Sequence, residues 1–173
     1  LVAAHVTAPL PSGVAVRTVG STGELAEAME AEAAEADVIV MAAAPADFTP
    51  AEASATKIKK AGAGGLEVRL VQTTDVLRGL AERRRPGQTI VGFAAETASS
   101  AEELLALGRA KLARKGCDLL VLNDVSGGAV FGRPDNRVTI IDAGGVRAEA
   151  SADKNTIAHR ILDAVLAREE NAS

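Results

Sequence analysis

The sequence predicts an α/β fold: a Rossmann-like, doubly wound, mainly parallel sheet with a protruding β-hairpin flap. Three observations carry that expectation. Short apolar runs alternate with helix-length segments along the 173 residues. Val38 to Ala44 is apolar without interruption, as in a parallel strand covered on both faces. Ser21-x-x-Glu24 and Ser99-x-x-Glu102 each mark a helix start, because the serine oxygen accepts an unpaired N–H of the first turn and the carboxylate reaches back to another.

Leu1 to Ala4 reads as an apolar strand and Pro9 to Gly13 as a loop; Ser21 then opens a helix to about Ala36. Val38 to Ala44 follows as a buried strand of a central sheet. Residues 45–56 hold two prolines and many small side chains, too irregular for a regular element. Lys57 to Ala61 and Leu66 to Val71 flank Gly62-Ala63-Gly64-Gly65 as hairpin arms do, which makes this segment the expected flap. Thr74 to Arg84 reads as a helix, Thr89 to Ala94 as a strand, Ser99 to Lys115-Gly116 as a helix with a glycine stop, and Asp118 to Leu122 as a strand. Gly127 to Arg137 is a loop, Val138 to Asp142 pairs with Val146 to Ala150 across Ala143-Gly144-Gly145, and Asn155 to Arg168 forms a closing helix. Residues 1–173 read as a single domain whose abrupt apolar start implies that earlier elements of the fold are missing.

Composition excludes several classes. A 47% hydrophobic, 24% charged chain has the make-up of a globular protein, and its longest apolar runs fall far short of a bilayer span, so no membrane role and a cytoplasmic location are expected. The single Cys117 rules out an intrachain disulfide framework, and His5 and His159 have no zinc-ligand spacing. A net charge of −4, with no Trp or Tyr, argues against nucleic acid as a partner while leaving room for a local basic pocket.

In an open α/β sheet, ligands bind beyond the carboxyl ends of the strands. The segments there are His5-Val6-Thr7, Pro45-Ala46-Asp47-Phe48, Phe93-Ala94-Ala95-Glu96-Thr97 and Asn123-Asp124, all expected to converge on one edge. Asp47 suits a ribose hydroxyl or a metal-bound phosphate, and equally a turn. Ala42, Ala43 and Ala44 would let a planar base lie against the backbone, and equally pack beneath a helix. On a strand, Lys57 and Lys59 face one way and Lys60 the other; they would point at a triphosphate or guard an exposed edge. Lys111 and Lys115, at i and i+4, would clamp phosphates or complement a helix C-terminus. Neither G-x-G-x-x-G nor G-x-x-x-x-G-K-[ST] occurs, so any phosphate must be held by lysines and by helix N-termini such as that near Thr73-Thr74-Asp75.

Taken in order, Ala42-Ala43-Ala44-Pro45-Ala46-Asp47-Phe48, Lys57-Ile58-Lys59-Lys60, Gly92-Phe93-Ala94-Ala95-Glu96-Thr97, Lys111-x-x-x-Lys115 and Asn123-Asp124-Val125 resemble the bacterial phosphopantothenoylcysteine synthetase domain over nearly the whole chain. The resemblance implies CTP-dependent amide formation between 4′-phosphopantothenate and L-cysteine through an acyl-cytidylate. It implies that Met41, Ala42 and Ala43 approach the nucleotide and that Asp47 and Lys57 bind it, Lys57 being the catalytic cation. Thr74, Asp75, Val76 and Leu77 would lie near the phosphates, and Phe93, Lys111 and Lys115 would complete the site. Many members have Asn-Pro-Asp where this chain has Thr73-Thr74-Asp75, so only Asp75 matches there. Also implied are Mg²⁺ accompanying CTP with unassigned ligands, FMN only if an upstream flavoprotein decarboxylase is fused, and a homodimer through the lysine-bearing flap. The family's Gly-Asn-Arg-Ser-Ser-Gly segment, which handles the acyl intermediate, is expected before Leu1. A non-catalytic nucleotide-binding domain and an ATP-dependent version of the same ligase are the alternatives.

Overall fold

The computed structural model describes residues 1–59, 65–125 and 135–172. Its elements are β1 (Val2–Ala4), β2 (Arg17–Val19), α1 (Thr22–Ala33), β3 (Val38–Met41), β4 (Phe48–Pro50), β5 (Leu70–Gln72), α2 (Val76–Glu82), β6 (Thr89–Glu96), α3 (Ala101–Lys115), β7 (Leu119–Asp124), β8 (Asp135–Asp142), β9 (Gly145–Asp153) and α4 (Lys154–Ala172). They fall into two compact units, Leu1–Met29 with Ala44–Val76, and Glu30–Ala43 with Leu77–Ser173.

The larger unit is built on a five-stranded sheet in the order β3-β6-β7-β8-β9. Strands β3, β6 and β7 run parallel, and β8 and β9 add an antiparallel pair. Leu119 to Leu122 is apolar at every position because both faces are covered. Leu119 and Val121 join Val91, Val138 and Ile140 beneath Ile157, Ile161 and Val165 of α4. On the opposite face, Leu120 approaches Gly92 and Leu122 approaches Gly108 of α3. Helices on both faces make the sheet doubly wound, as expected.

Three sequence expectations need correction in this unit. Strand β3 ends at Met41 and lies at the sheet edge, with Val40 42% exposed, so uninterrupted apolar character did not signal cover on both faces. The cap of α3 is Ser100, whose Oγ accepts the N–H of Glu103 at 3.1 Å, while the Glu103 carboxylate accepts the N–H of Ser99 at 2.7 Å. The box is thus one residue later than Ser99-x-x-Glu102, and Ser99 Oγ, donating to the same carboxylate, holds the Glu103 pKa below its usual value. Strand β8 begins at Asp135, inside what reads as a loop; the rest of that expected loop, residues 127–134, lies outside the described residues. The glycine stop is as expected, Gly116 being left-handed at φ 69° with its N–H on Leu112 O.

In the smaller unit β1 pairs in parallel with β2, a strand whose three residues were too few to stand out in the sequence. Ser21 caps α1 through Glu24 N at 3.2 Å, as expected, and Glu24 returns its carboxylate to Gly20 N at 2.6 Å. The antiparallel ribbon is β4 with β5, in the register Phe48↔Gln72, Thr49↔Val71 and Pro50↔Leu70. Among the described residues of the expected arms, Lys57 to Lys59 do not pair with Leu66 to Val71 as read. Ser54 Oγ donates to Thr56 O and accepts from Thr56 N, a local turn that takes Lys57, Ile58 and Lys59 out of any strand. Lys60 and residues 61–64 lie outside the described residues.

Candidate functional site at the carboxyl ends of the parallel strands

In the larger unit, parallel register brings three strand ends to one edge. Met41 is level with Gly92 and Glu96 with Asp124, so β6 and β7 extend past the end of β3. Ala42 and Ala43 follow β3 and are exposed, leaving their backbone accessible beside the longer neighbour. Along the protruding part of β6, side chains alternate between the faces. Phe93 packs against the cluster under α4 and is half-buried. Glu96 reaches α3, where its Oε1 lies 2.5 Å from Nζ of Lys111. Lys111 is therefore paired within the protein, and Lys115, one turn further on, is also half-buried.

Asn123 stands beside Ala95 on one side and Val138 on the other. Its Oδ1 is a buried acceptor without a hydrogen-bond partner among the described residues. Such an atom costs about 1–3 kcal/mol if left unpaired, which singles the residue out. The sequence places the Asn123-Asp124 segment at this edge but assigns Asn123 no role in holding a ligand. Gly92 has a packing role: a Cβ there would lie 2.6 Å from Leu77 Cδ2 and 3.2 Å from Cys117 Sγ. Leu77 therefore spends its side chain on the sheet, leaving only its backbone for a ligand. Burial pushes the Cys117 thiol above its ordinary pKa, the behaviour of a core residue and not of a nucleophile.

In the smaller unit, Thr73 donates from N to Asp47 O at 2.9 Å and from Oγ1 to Ala46 O at 2.5 Å. This couples the Ala46-Asp47 and Thr74-Asp75 segments, two of the expected ligand contacts, through the base of the β4–β5 ribbon. Thr73 has a defined role although it departs from the family sequence. Asp47, Thr74 and Asp75 are exposed and Val76 is buried. Lys57 is exposed and pairs with none of the described residues. The parallel ends of β1 and β2 open onto a cavity of about 290 Å³ lined by Ala3, His5, Val6, Thr18 and Gly20 among others. His5, at φ 50°, places Nε2 3.0 Å from Gly20 O.

The larger unit also has a cavity of about 710 Å³, located at the opposite end of β7, where Arg147 and Arg168 are already paired with Asp142 and Asp118. Among the described residues no three His, Cys, Asp or Glu side chains form a metal-holding group, and no helix is long and apolar enough to cross a membrane.

The fold and this edge define a doubly wound α/β domain of the kind that binds ligands beyond its strand ends. The chain belongs to the DNA/pantothenate metabolism flavoprotein C-terminal domain family, which it matches over residues 1–168. It is 43% identical to the coenzyme A biosynthesis bifunctional protein CoaBC of Mycobacterium tuberculosis over 96% of this chain and 41% of that protein. With the CoaBC of Bacillus subtilis it shares 38% identity over 86% of this chain and 36% of that protein. The chain thus spans well under half the length of these relatives. Among solved structures, the C-terminal domain of CoaBC matches at a TM-score of 0.75 and 24% identity, covering 98% of this chain and 74% of that one. A Cab2 mutant in complex with phosphopantothenate-cysteine matches at 0.70 and 20%, covering 90% and 53%. At these identities, the structural likenesses speak for the fold.

Proposed function

We propose that this chain is the synthetase part of a coenzyme A biosynthetic protein, a CTP-using acid–amino-acid ligase that joins 4′-phosphopantothenate to L-cysteine. The observation that carries this reading is the 43% identity to a CoaBC protein across 96% of the chain, a span that includes every motif from Ala42 to Val125. The substrate carboxylate attacks the α-phosphorus of CTP and pyrophosphate departs with the bridging electron pair. The cysteine amine then attacks the acyl-cytidylate carbonyl, losing a proton, and CMP leaves.

Neither step requires a protein nucleophile; both require charge neutralisation and alignment. Exposed Lys57 is free to meet the triphosphate, and Lys111, beside Glu96 at the end of β6, and Lys115, one turn further along α3, are the other cations of the reading. The backbone of Met41, Ala42 and Ala43 and the half-buried Phe93 ring suit a planar base, with Asp47 for the ribose. Thr74 to Leu77 precede and open α2, and exposed Thr74 and Asp75 bring this segment within reach of the phosphates. Mg²⁺ is held mainly by the nucleotide, since it keeps few protein ligands, and exposed Asp47 or Asp75 suits one of them. FMN belongs to the reading only where a flavoprotein decarboxylase is fused upstream. The exposed Phe48, Ile58, Leu70 and Val71 of the ribbon region favour a homodimer formed through it, and the metabolic role favours a cytoplasmic location.

The test is pyrophosphate release by the full-length protein with CTP or ATP, 4′-phosphopantothenate and cysteine. Cysteine-dependent product with CTP is expected. Nucleotide binding without turnover would replace the reading with a non-catalytic one, and faster turnover with ATP would reassign the nucleotide.

A further inference from the structure

We infer that Glu96 is a built-in counter-anion that occupies Lys111 and weakens the binding of nucleotide and pyrophosphate alike. The inference rests on the proposed nucleotide role of Lys111. The pair is fixed from both sides. Glu96 ends β6, where its backbone O accepts Val125 N at 2.9 Å, and α3 is held against the sheet by buried Leu104, Gly108 and Leu112. Between these supports Oε1 and Nζ lie 2.5 Å apart, the two side chains only 22% and 25% exposed. Water therefore screens the carboxylate weakly.

An ammonium has three donors, so Lys111 retains two for a phosphate while keeping Glu96. Carboxylate and phosphate oxygens sharing one ammonium would lie on the order of 5 Å apart. At the effective dielectric of a protein surface their repulsion amounts to roughly 100-fold in a binding constant. Holding the lysine chain in place recovers only about 10-fold at most. Repulsion wins, and Glu96 acts against retention of the polyanion. For an enzyme that must release pyrophosphate every cycle, a fixed anion beside the phosphate-binding lysine prevents the product from remaining bound.

Glu96→Gln separates the two effects, because the amide oxygen still accepts from Lys111 while the charge is lost. Calorimetric titration of the full-length protein with CTP and with inorganic pyrophosphate, both in Mg²⁺, should show at least about tenfold tighter binding of each in Glu96→Gln, with pyrophosphate inhibiting at correspondingly lower concentration. Unchanged or weaker binding in the folded variant overturns the inference. If Glu96→Gln does not fold, Glu96→Ala is measured with the same expected sign. Lys111→Gln tells the two readings apart. Unchanged CTP affinity there removes Lys111 from the nucleotide site and the inference with it, whereas weakened affinity beside an unaltered Glu96→Gln overturns the inference alone.

Discussion

Arg84 places Nη1 2.7 Å from both carboxylate oxygens of Asp118 at the start of β7, where the Asp118 side chain is 7% exposed. The same carboxylate accepts Arg168 Nη2 at 2.7 Å and the N–H of Ile90 at 2.9 Å, so one buried anion ties the residues following α2, strand β6 and helix α4 together. Removing it leaves Arg84 only its carbonyl partners, Ala81 O and Gly116 O, and takes the carboxylate from Arg168. Asp118→Ala is expected to lower the unfolding free energy by about 3 kcal/mol in urea denaturation. The exposed Arg160–Asp163 pair, at 3.6 Å, makes a control: Arg160→Ala should change stability by less than about 0.5 kcal/mol.

Gly92 opens the Gly-Phe-Ala-Ala-Glu-Thr motif for steric reasons. With Leu77 Cδ2 2.6 Å from the place a Cβ would occupy, and with Cys117 Sγ and Leu120 Cδ1 both at 3.2 Å, Gly92→Ala forces α2 or β7 to shift. A cost of about 1–3 kcal/mol is expected, measurable as a lower denaturation midpoint. Adding Leu77→Ala should recover part of it by relieving the closest contact, whereas an additive loss would contradict the steric account.

What was legible in the sequence followed from local chemistry with one reading. Leu119 to Leu122, the Gly116 stop and the Ser21 cap each admit one low-energy arrangement, and each is found. At β3 the expected cover on both faces is incomplete, with Val40 exposed, because an apolar run reports burial by any neighbour while strand order depends on long-range pairing. The flap's arms were misassigned for a similar reason: Gly62-Ala63-Gly64-Gly65 suggests a turn, yet the antiparallel register is set by Phe48–Gln72 and by Thr73 bonding back to Asp47. Among the candidate ligand contacts, types and positions were legible, but the partner of Lys111 was not. A salt bridge between residues fifteen apart depends on how α3 crosses the sheet.

Acid should weaken the β8–β9 hairpin. Burial alone pushes the Asp142 carboxyl up, but the Arg147 guanidinium, with Nε 2.5 Å from Oδ2, and the N–H groups of Gly144 and Gly145 bring it below the ordinary carboxylate value. A depressed folded-state pKa stabilises fully above the unfolded-state value and is lost as pH falls through the folded one. Stability should therefore fall below about pH 4. In Arg147→Met, which lacks the main partner, the acid-dependent part should shrink, as read from urea midpoints at pH 3 and pH 6.

Lys57 is exposed and pairs with none of the described residues, so its charge has little to do in the fold. Lys57→Glu should leave the thermal midpoint within about 2 °C while weakening CTP binding by an order of magnitude or more. Unchanged CTP affinity in a titration would remove Lys57 from the proposed site.

Asn123 presents the converse situation. Its Oδ1 is buried at the end of β7 with no hydrogen-bond partner among the described residues, beside Val138 on one side and Ala95 on the other. An apolar side chain of similar shape removes the unpaired acceptor, so Asn123→Leu should raise stability by about 1 kcal/mol. If that acceptor is kept for a ligand donor, such as an exocyclic amine of a nucleotide base, the same change must weaken nucleotide binding by about tenfold. Stability and affinity would then move in opposite directions, a trade typical of a binding residue. A variant that loses stability without losing affinity would make Asn123 a packing residue instead, with its acceptor satisfied by solvent.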